Sequence, residues 1–77
     1  MMNWRTYIES NPKVMLGKPV IKKTRIPVDL LLEKLADGES IDDLLEAYPT
    51  VTKNDIYASL AFASEVIKNE IVYSLAS

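Results

Sequence analysis

The chain has 77 residues, no cysteine and no histidine, and a formal net charge of −2. The missing residue types exclude disulfides and thiolate metal sites, and they remove the commonest general base and metal ligand. A chain this short forms one domain near the lower size limit for a self-sufficient core, and dimerisation is the usual way to add buried area.

Targeting segments are not evident in the sequence. Residues 1–15 mix charge, Asn and Pro and have no apolar signal-peptide core. The chain also has no apolar run of transmembrane length. We therefore expect a soluble, cytoplasmic protein that needs no cofactor and no metal and does not bind a membrane.

The charges are divided unevenly along the chain. Residues 1–28 carry six cations and one acid, a net charge of +5, and residues 29–77 carry three cations and ten acids, a net charge of −7. A split of this kind indicates an anionic partner for the basic part. The alternative is that the two parts attract each other, within one monomer or across a dimer.

Residues 1–26 form a basic N-terminal arm in which we predict short β-strands. Residues 3–9 suit a short strand, the sequence Ser10-Asn11-Pro12 indicates a turn, and β-branched residues follow between Pro19 and Pro27. Trp4, the only tryptophan, is expected to anchor the arm on the core. Since two strands alone are barely stable in water, they must pack on the helices or pair with a second copy.

The second half of the arm offers candidate phosphate contacts. An extended basic segment could bind DNA phosphates, as minor-groove arms and β-ribbons do. Alternation along a strand would place Lys23 and Arg25 on one face and Lys22 on the other. The alternatives are that Arg25 pairs with an acid such as Asp29 or Glu33, and that the lysines are simply solvated. The cations assigned to DNA binding are Lys18, Lys22, Lys23 and Arg25.

Residues 27–77 form the helical body, and local signals predict three helices in it. Pro27 suits a first helical turn and Gly38 suits the position after a last one, so the first helix should span about 27–37. Ser40 and Thr52 are N-cap residues with an aspartate three positions on, which is the capping-box pattern. The second helix should stop before Pro49.

The third helix should run from residue 52 towards the end of the chain, because no Gly or Pro interrupts it. Its apolar stripe at helical spacing is Ile56, Leu60, Ala63, Ile67 and Ile71. The helix is too apolar to cover only a small core, so we expect its far half to form a dimer or partner surface. The residues assigned to that surface are Val66, Ile67, Ile71, Val72 and Leu75.

The second and third helices, separated by residues 48–52, match the spacing of a helix-turn-helix. In that motif the N-terminal side chains of the second helix reach base edges in the major groove. The alternative is a helix pair that binds no DNA, and Asp55 nearby would repel phosphate. The residues assigned to DNA contact are Thr50, Thr52, Lys53, Asn54 and Tyr57.

Catalysis has little support in the sequence. The hydroxyl residues show no nucleophile motif, and the chain has only two glycines, too few for a glycine-rich phosphate loop. Asp42 and Asp43 are adjacent on a helix and point in different directions, which makes a poor dyad. We therefore expect a protein that is not an enzyme.

Three stretches carry a resemblance to a known family: G-K-P-V-I-K-K-T-R-I-P-V at 17–28, A-D-G at 36–38 and Y-P-T-V-T-K-N-D-I at 48–56. Together they resemble the domain-of-unknown-function 433 family of bacterial proteins over about residues 8–63. The resemblance implies a mainly α, three-helix, homeodomain-like helix-turn-helix fold with a short N-terminal β extension. It also implies an antitoxin of a type II toxin–antitoxin pair, commonly encoded beside a toxin resembling a PIN-domain ribonuclease.

Two positions depart from the family pattern. The family usually has glycine where this chain has Lys23, and Gly-Gly where this chain has Leu16-Gly17. If those glycines serve turns with positive φ, Lys23 and Leu16 carry strain or the chain follows a different path. The leading interpretation is a homodimeric DNA-binding antitoxin and autorepressor. The alternative is a protein-interaction module of the same fold that does not bind DNA.

Overall fold

The computed structural model describes residues 1–69, and over this range the chain is mainly helical with a two-stranded sheet near its start. The elements are 3-10 turns at Trp4–Thr6 and Met15–Gly17, β1 at Ile8–Glu9, β2 at Val20–Ile21, α1 at Val28–Ala36, α2 at Ile41–Ala47 and α3 at Lys53–Asn69. The three helices and the N-terminal β extension confirm the predicted fold class. Three predicted interface residues, Ile71, Val72 and Leu75, lie outside the described residues.

One apolar core joins the arm to the helical body. Ile8 of β1 and Ile21 of β2, which pair directly in the antiparallel sheet, are buried with Leu31 of α1, Leu44 of α2 and Ile56 of α3. Burying a side chain of this size stabilises the fold by about 1.5–3 kcal/mol. The arm is therefore part of the fold, as expected for two strands that cannot stand alone.

The end of α1 is set by Gly38. This glycine has φ +94°, its N–H donates to the carbonyl of Leu35, and the N–H of Glu39 donates to the carbonyl of Lys34. These two bonds form a Schellman motif, which satisfies the last helical carbonyls. The predicted bounds of α1 are correct to within one residue, because Pro27 is the extended N-cap rather than the first helical residue.

Both predicted capping boxes form. The N–H of Ser40 donates to Asp43 Oδ2 at 3.0 Å, and the N–H of Asp43 donates to Ser40 Oγ at 3.0 Å. The bond from the backbone N–H of Ser40 and the Ser40 side chain hold the pKa of Asp43 below its usual value. At α3, the N–H of Thr52 donates to Asp55 Oδ2 at 2.8 Å, and the N–H of Asp55 donates to Thr52 Oγ1 at 3.2 Å.

The start of the arm differs from the strand predicted over residues 3–9, since only Ile8–Glu9 is extended. The side chain of Asn3 accepts a bond from the N–H of Arg5, which closes a turn in place of a strand. The turn brings Trp4 against α3, edge-on to Phe62 with ring centroids 4.8 Å apart. Trp4 Nε1 also donates to Glu65 at 3.1 Å, which confirms that Trp4 anchors the arm.

The loop between the strands is strained at its centre. Met15, Leu16 and Gly17 all have positive φ, at 52°, 55° and 85°, and the side chain of Leu16 is 97% exposed. The left-handed region costs a residue with a Cβ roughly 1–2 kcal/mol. Leu16 therefore adopts the conformation that the glycine of the family pattern would take more easily.

The buried face of α3 differs from the predicted apolar stripe. Ile56 is buried, but Leu60 and Ile67 are 45% and 57% exposed. The face of α3 that packs on the core instead carries Ala58 and Ala61 together with two polar residues, Asp55 and Ser59, whose side chains are hydrogen-bonded locally. Ser59 Oγ donates to the carbonyl of Asp55 at 2.9 Å, and the Asp55 carboxylate belongs to the helix cap. A pattern of apolar residues alone cannot predict buried polar side chains that are hydrogen-bonded within their own helix.

Candidate nucleic-acid interface

The cations of the second half of the arm lie on a tight turn at residues 22–25, which we call the cationic turn. The chain doubles back here, because the N–H of Ile21 donates to the carbonyl of Ile26 and the N–H of Val28 donates to the carbonyl of Pro19, both at 3.0 Å. The continuous basic strand predicted for this segment is therefore wrong. Lys22 follows β2 directly, and Lys23 and Arg25 are turn residues rather than alternating strand positions.

Thr24 holds the cationic turn in shape. Its Oγ1 donates to the carbonyl of Ile21 at 2.7 Å and accepts from the N–H of Ile26 at 3.0 Å. Its own N–H donates to the same carbonyl of Ile21 at 3.1 Å. A side chain that bonds both sides of a turn replaces backbone pairing where the chain reverses. The three cations beside Thr24 are thus displayed on a fixed backbone.

Lys23 sits at the left-handed position of this turn, with φ +65°. Of the two possibilities for this position, a left-handed lysine or a different path of the chain, the structure has the first. The left-handed conformation has a higher free-energy cost for lysine than for glycine. Lys23 therefore adds a positive charge to the turn and lowers its local stability.

Ion pairing separates the arm's cations into two groups. Lys18 Nζ bonds Asp29 Oδ2 at 3.0 Å, and Arg5 bonds Glu65 at 3.1 Å. Within residues 1–69, the arm's other cations have no carboxylate within ion-pair distance, and all four are exposed: Lys13, which lies apart, and Lys22, Lys23 and Arg25 of the cationic turn. The alternative in which Arg25 pairs with Asp29 or Glu33 does not form within residues 1–69, and Asp29 bonds Lys18 instead.

The start of α3 displays four of the residues assigned to DNA contact. Thr50, Thr52, Lys53 and Asn54 are exposed, although the hydroxyl of Thr52 already accepts the cap bond. Asp55, which we expected to repel phosphate, is only 8% exposed and holds its carboxylate inside the cap. The exposed face of the first turn is therefore polar and carries the positive charge of Lys53.

Tyr57, the fifth assigned residue, has a different setting. It borders a shallow apolar groove of about 430 Å³ that is also lined by Met1, Met2, Asn54, Leu60 and Ala61. Sequence reasoning missed this groove because it assigned Leu60 to the core. The sequence signal for this groove was the excess of apolar residues around the whole of the third helix. We assigned the surface implied by that excess only to residues after 65.

Two further observations concern the described residues only. Over residues 1–69, no group of three His, Cys, Asp or Glu side chains is placed to hold a metal ion. The same residues contain no helix long and apolar enough to cross a membrane.

Comparison with known proteins supports the resemblance drawn from the motifs. The family model described as "Protein of unknown function (DUF433)" matches residues 8–63. An uncharacterised protein of Sinorhizobium fredii, y4eO, is 32% identical over 59 residues, which is 77% of this chain and only 27% of that protein. The crystal structure of a DUF433 member protein from Anabaena variabilis matches with a TM-score of 0.74 and 30% identity, over 91% of this chain and 68% of that one.

Proposed function

This chain belongs to the DUF433 family, described as proteins of unknown function, and we propose that it binds DNA through the cationic turn and the start of α3. The observation that carries the proposal is the display of Lys22, Lys23 and Arg25 on a fixed turn without carboxylate partners. Cations fixed in this way bind phosphate oxygens with little loss of backbone entropy, and phosphate contacts dominate affinity for DNA.

The geometry of the second and third helices supports a role for α3 in sequence recognition. Residues 48–52 connect a seven-residue helix to a longer one, and the first turn of that longer helix exposes Lys53 and Asn54. These two side chains have the donors and acceptors that pair with guanine and adenine edges in the major groove. We assign phosphate contact to the cationic turn and base contact to the start of α3.

The resemblance supports a more specific proposal, in which the protein is the antitoxin and autorepressor of a type II toxin–antitoxin pair. In this role it binds the DNA upstream of its own gene and also a toxin resembling a PIN-domain ribonuclease. A toxin-like reading frame next to the gene, and suppression of its toxicity by coexpression of this chain, test the antitoxin role separately from DNA binding.

Fluorescence anisotropy with a labelled duplex from upstream of the gene, at several salt concentrations, tests DNA binding. The logarithm of the binding constant should fall linearly with the logarithm of salt concentration, by about 0.9 for each phosphate neutralised. Lys23→Ala and Arg25→Ala should each weaken binding and reduce this slope by about one contact. Lys53→Ala and Asn54→Ala should each reduce the ratio of the affinity for the upstream duplex to the affinity for a scrambled duplex.

Lys13→Ala is the matched control, because it removes the same unit charge from an exposed position elsewhere in the arm. If Lys13→Ala weakens binding as much as Lys23→Ala, the effect reflects total charge and the assignment to the cationic turn fails. Binding that is absent at low salt would overturn the proposed function itself.

A second candidate function is a protein-interaction module that does not bind DNA. The specific observation that favours it is the exposure of Leu60 and Ile67 on α3. The same titration separates the two functions, since a protein-interaction module gives no anisotropy change with any duplex.

A further inference from the structure

The outward face of α3 carries a strip of three exposed apolar side chains, Tyr57, Leu60 and Ile67, with the small polar Ser64 between the last two. These residues recur at i, i+3, i+7 and i+10, so they lie along one side of the helix. Tyr57, Leu60 and Ile67 are 43%, 45% and 57% exposed, and Met1 beside them is 80% exposed. The opposite side of the helix is the one that packs on the core, so the strip has no role within the described residues.

We propose that this strip binds the same strip of a second copy, with the two α3 helices antiparallel. In this arrangement a two-fold axis crosses α3 at the level of residue 62. It places Tyr57 opposite Ile67 of the second copy, and the large side chain of Leu60 opposite the small side chain of Ser64. Each contact then occurs twice, as an isologous interface requires.

The exposed apolar area agrees with what a homodimer of this size needs. A stable interface takes roughly 800 Å² from each partner, and about 65% of a homodimer interface is apolar. Aromatic side chains bury roughly 150–250 Å² each. With that range as an upper bound for every residue, Tyr57, Leu60, Ile67 and Met1 at the exposures above offer at most roughly 340–560 Å². They therefore approach the apolar share of such an interface, about 500 Å², when Met1 is covered together with the strip.

The charges at the ends of the strip predict how the dimer responds to salt. Lys53 and Lys68 lie at the two ends, and the antiparallel arrangement brings Lys53 to within about 5 Å, along the axis, of the level of Lys68 in the second copy. Since both are cations, salt should screen their repulsion and tighten the dimer. The antiparallel pair covers the side of α3 that carries Lys53 and Tyr57, so dimerisation and base contact by the start of α3 exclude each other. DNA binding also has the opposite salt dependence, so failure of one proposal is distinguishable from failure of the other.

Sedimentation equilibrium of the full chain without DNA tests the proposal. Dimerisation should be concentration-dependent and favoured by salt, and Leu60→Gln and Ile67→Gln should each weaken it at least tenfold. Leu16→Gln is the matched control, because Leu16 is apolar and 97% exposed but lies in the loop between the strands, away from α3. A chain that stays monomeric at several hundred micromolar overturns the proposal, as does an equal effect of Leu16→Gln.

Cysteine cross-linking tests the antiparallel geometry, because the natural chain contains no cysteine. Tyr57 and Ile67 are about 15 Å apart along one helix, too far for a disulfide within one copy. Tyr57→Cys with Ile67→Cys should therefore oxidise to covalent dimers much faster than either single variant. Equal cross-linking of Tyr57→Cys alone would indicate a parallel pair and overturn the assignment.

Discussion

The arm and the helical body contribute to the same core, but they are built in opposite ways. In the body, each helix boundary is set by local bonds, such as the Schellman motif at Gly38 and the capping boxes at Ser40 and Thr52. In the arm, the elements are two or three residues long and three non-glycine residues have positive φ. The body is regular and acidic, whereas the arm is irregular, basic and strained.

This contrast indicates where the chain keeps backbone strain that lowers the stability of the fold. Strain that persists in a folded protein concentrates at binding sites and other functional positions. Of the three strained non-glycine residues, Lys23 lies in the cationic turn, where its charge has no acidic partner among residues 1–69. The arm therefore combines a structural role in its buried strands with a surface role in its exposed turn.

The largest expected effect tests whether the arm belongs to the core. Ile21 of the arm and Ile56 of α3 are 1% and 0% exposed, so truncating either leaves a cavity. Ile21→Ala and Ile56→Ala should each lower the free energy of unfolding by about 2–5 kcal/mol, measured by urea denaturation. Leu16→Ala, at a fully exposed position of the arm, should change it by less than about 0.5 kcal/mol. An Ile21→Ala variant as stable as the natural chain would mean that the arm is only an appendage.

The next effect tests the dependence of the body on local capping. Asp55→Ala removes the acceptor for the N–H of Thr52 in a partly buried cap, and should cost about 1–2 kcal/mol in urea denaturation. Asp55→Asn keeps an acceptor oxygen and should recover most of this loss. If both variants unfold at the same urea concentration as the natural chain, α3 is held by packing alone.

A smaller effect tests the strain in the cationic turn. Lys23→Gly removes a left-handed cost of roughly 1–2 kcal/mol and adds about 0.5–1 kcal/mol of backbone entropy cost, so the variant should be more stable by up to about 1.5 kcal/mol. The same variant should bind DNA more weakly. Lys22→Gly removes the same charge at a residue without positive φ, and should gain no stability. Equal stabilisation by both variants would show that charge, not backbone strain, is responsible.

The smallest effect concerns pH and the exposed cap of α2. The pKa of Asp43 is lowered in the folded chain, so its contribution to stability is present above the unfolded value of 3.8 and is lost as pH falls through the folded value. Asp43→Asn should therefore flatten the fall of melting temperature between about pH 5 and pH 2. Asp42→Asn, at the adjacent exposed residue, is the control. A fall that is unchanged in Asp43→Asn would contradict this role for the cap.

The sequence predicts the helices well because their signals are local. Gly38, Ser40 and Thr52 set helix ends through bonds to residues at most four positions away, and apolar spacing supplies most of the rest. The buried face of α3 is harder to predict, because Asp55 and Ser59 enter the core with their polar groups satisfied by the helix itself.

The arm and the candidate site are less predictable from the sequence, for two physical reasons. The turn at Trp4 depends on Phe62 and Glu65, more than fifty residues away, and no local pattern encodes such a contact. The reversal around Lys23 needs a positive φ, which lysine rarely adopts. Residue propensities therefore predict an extended basic segment in place of a turn. The residue types predict the charge of the arm, but they do not predict the path that the chain follows there.

The position of Trp4 has a practical consequence for following this protein in solution. Its indole ring lies edge-on to Phe62, its N–H donates to Glu65, and the guanidinium of Arg5 stacks 4.3 Å above it. Because it is the only tryptophan, tryptophan fluorescence, excited selectively over the four tyrosines, reports this one contact, while far-ultraviolet circular dichroism reports the helices. The two optical signals therefore follow the arm and the helical body separately in an unlabelled, unmodified chain.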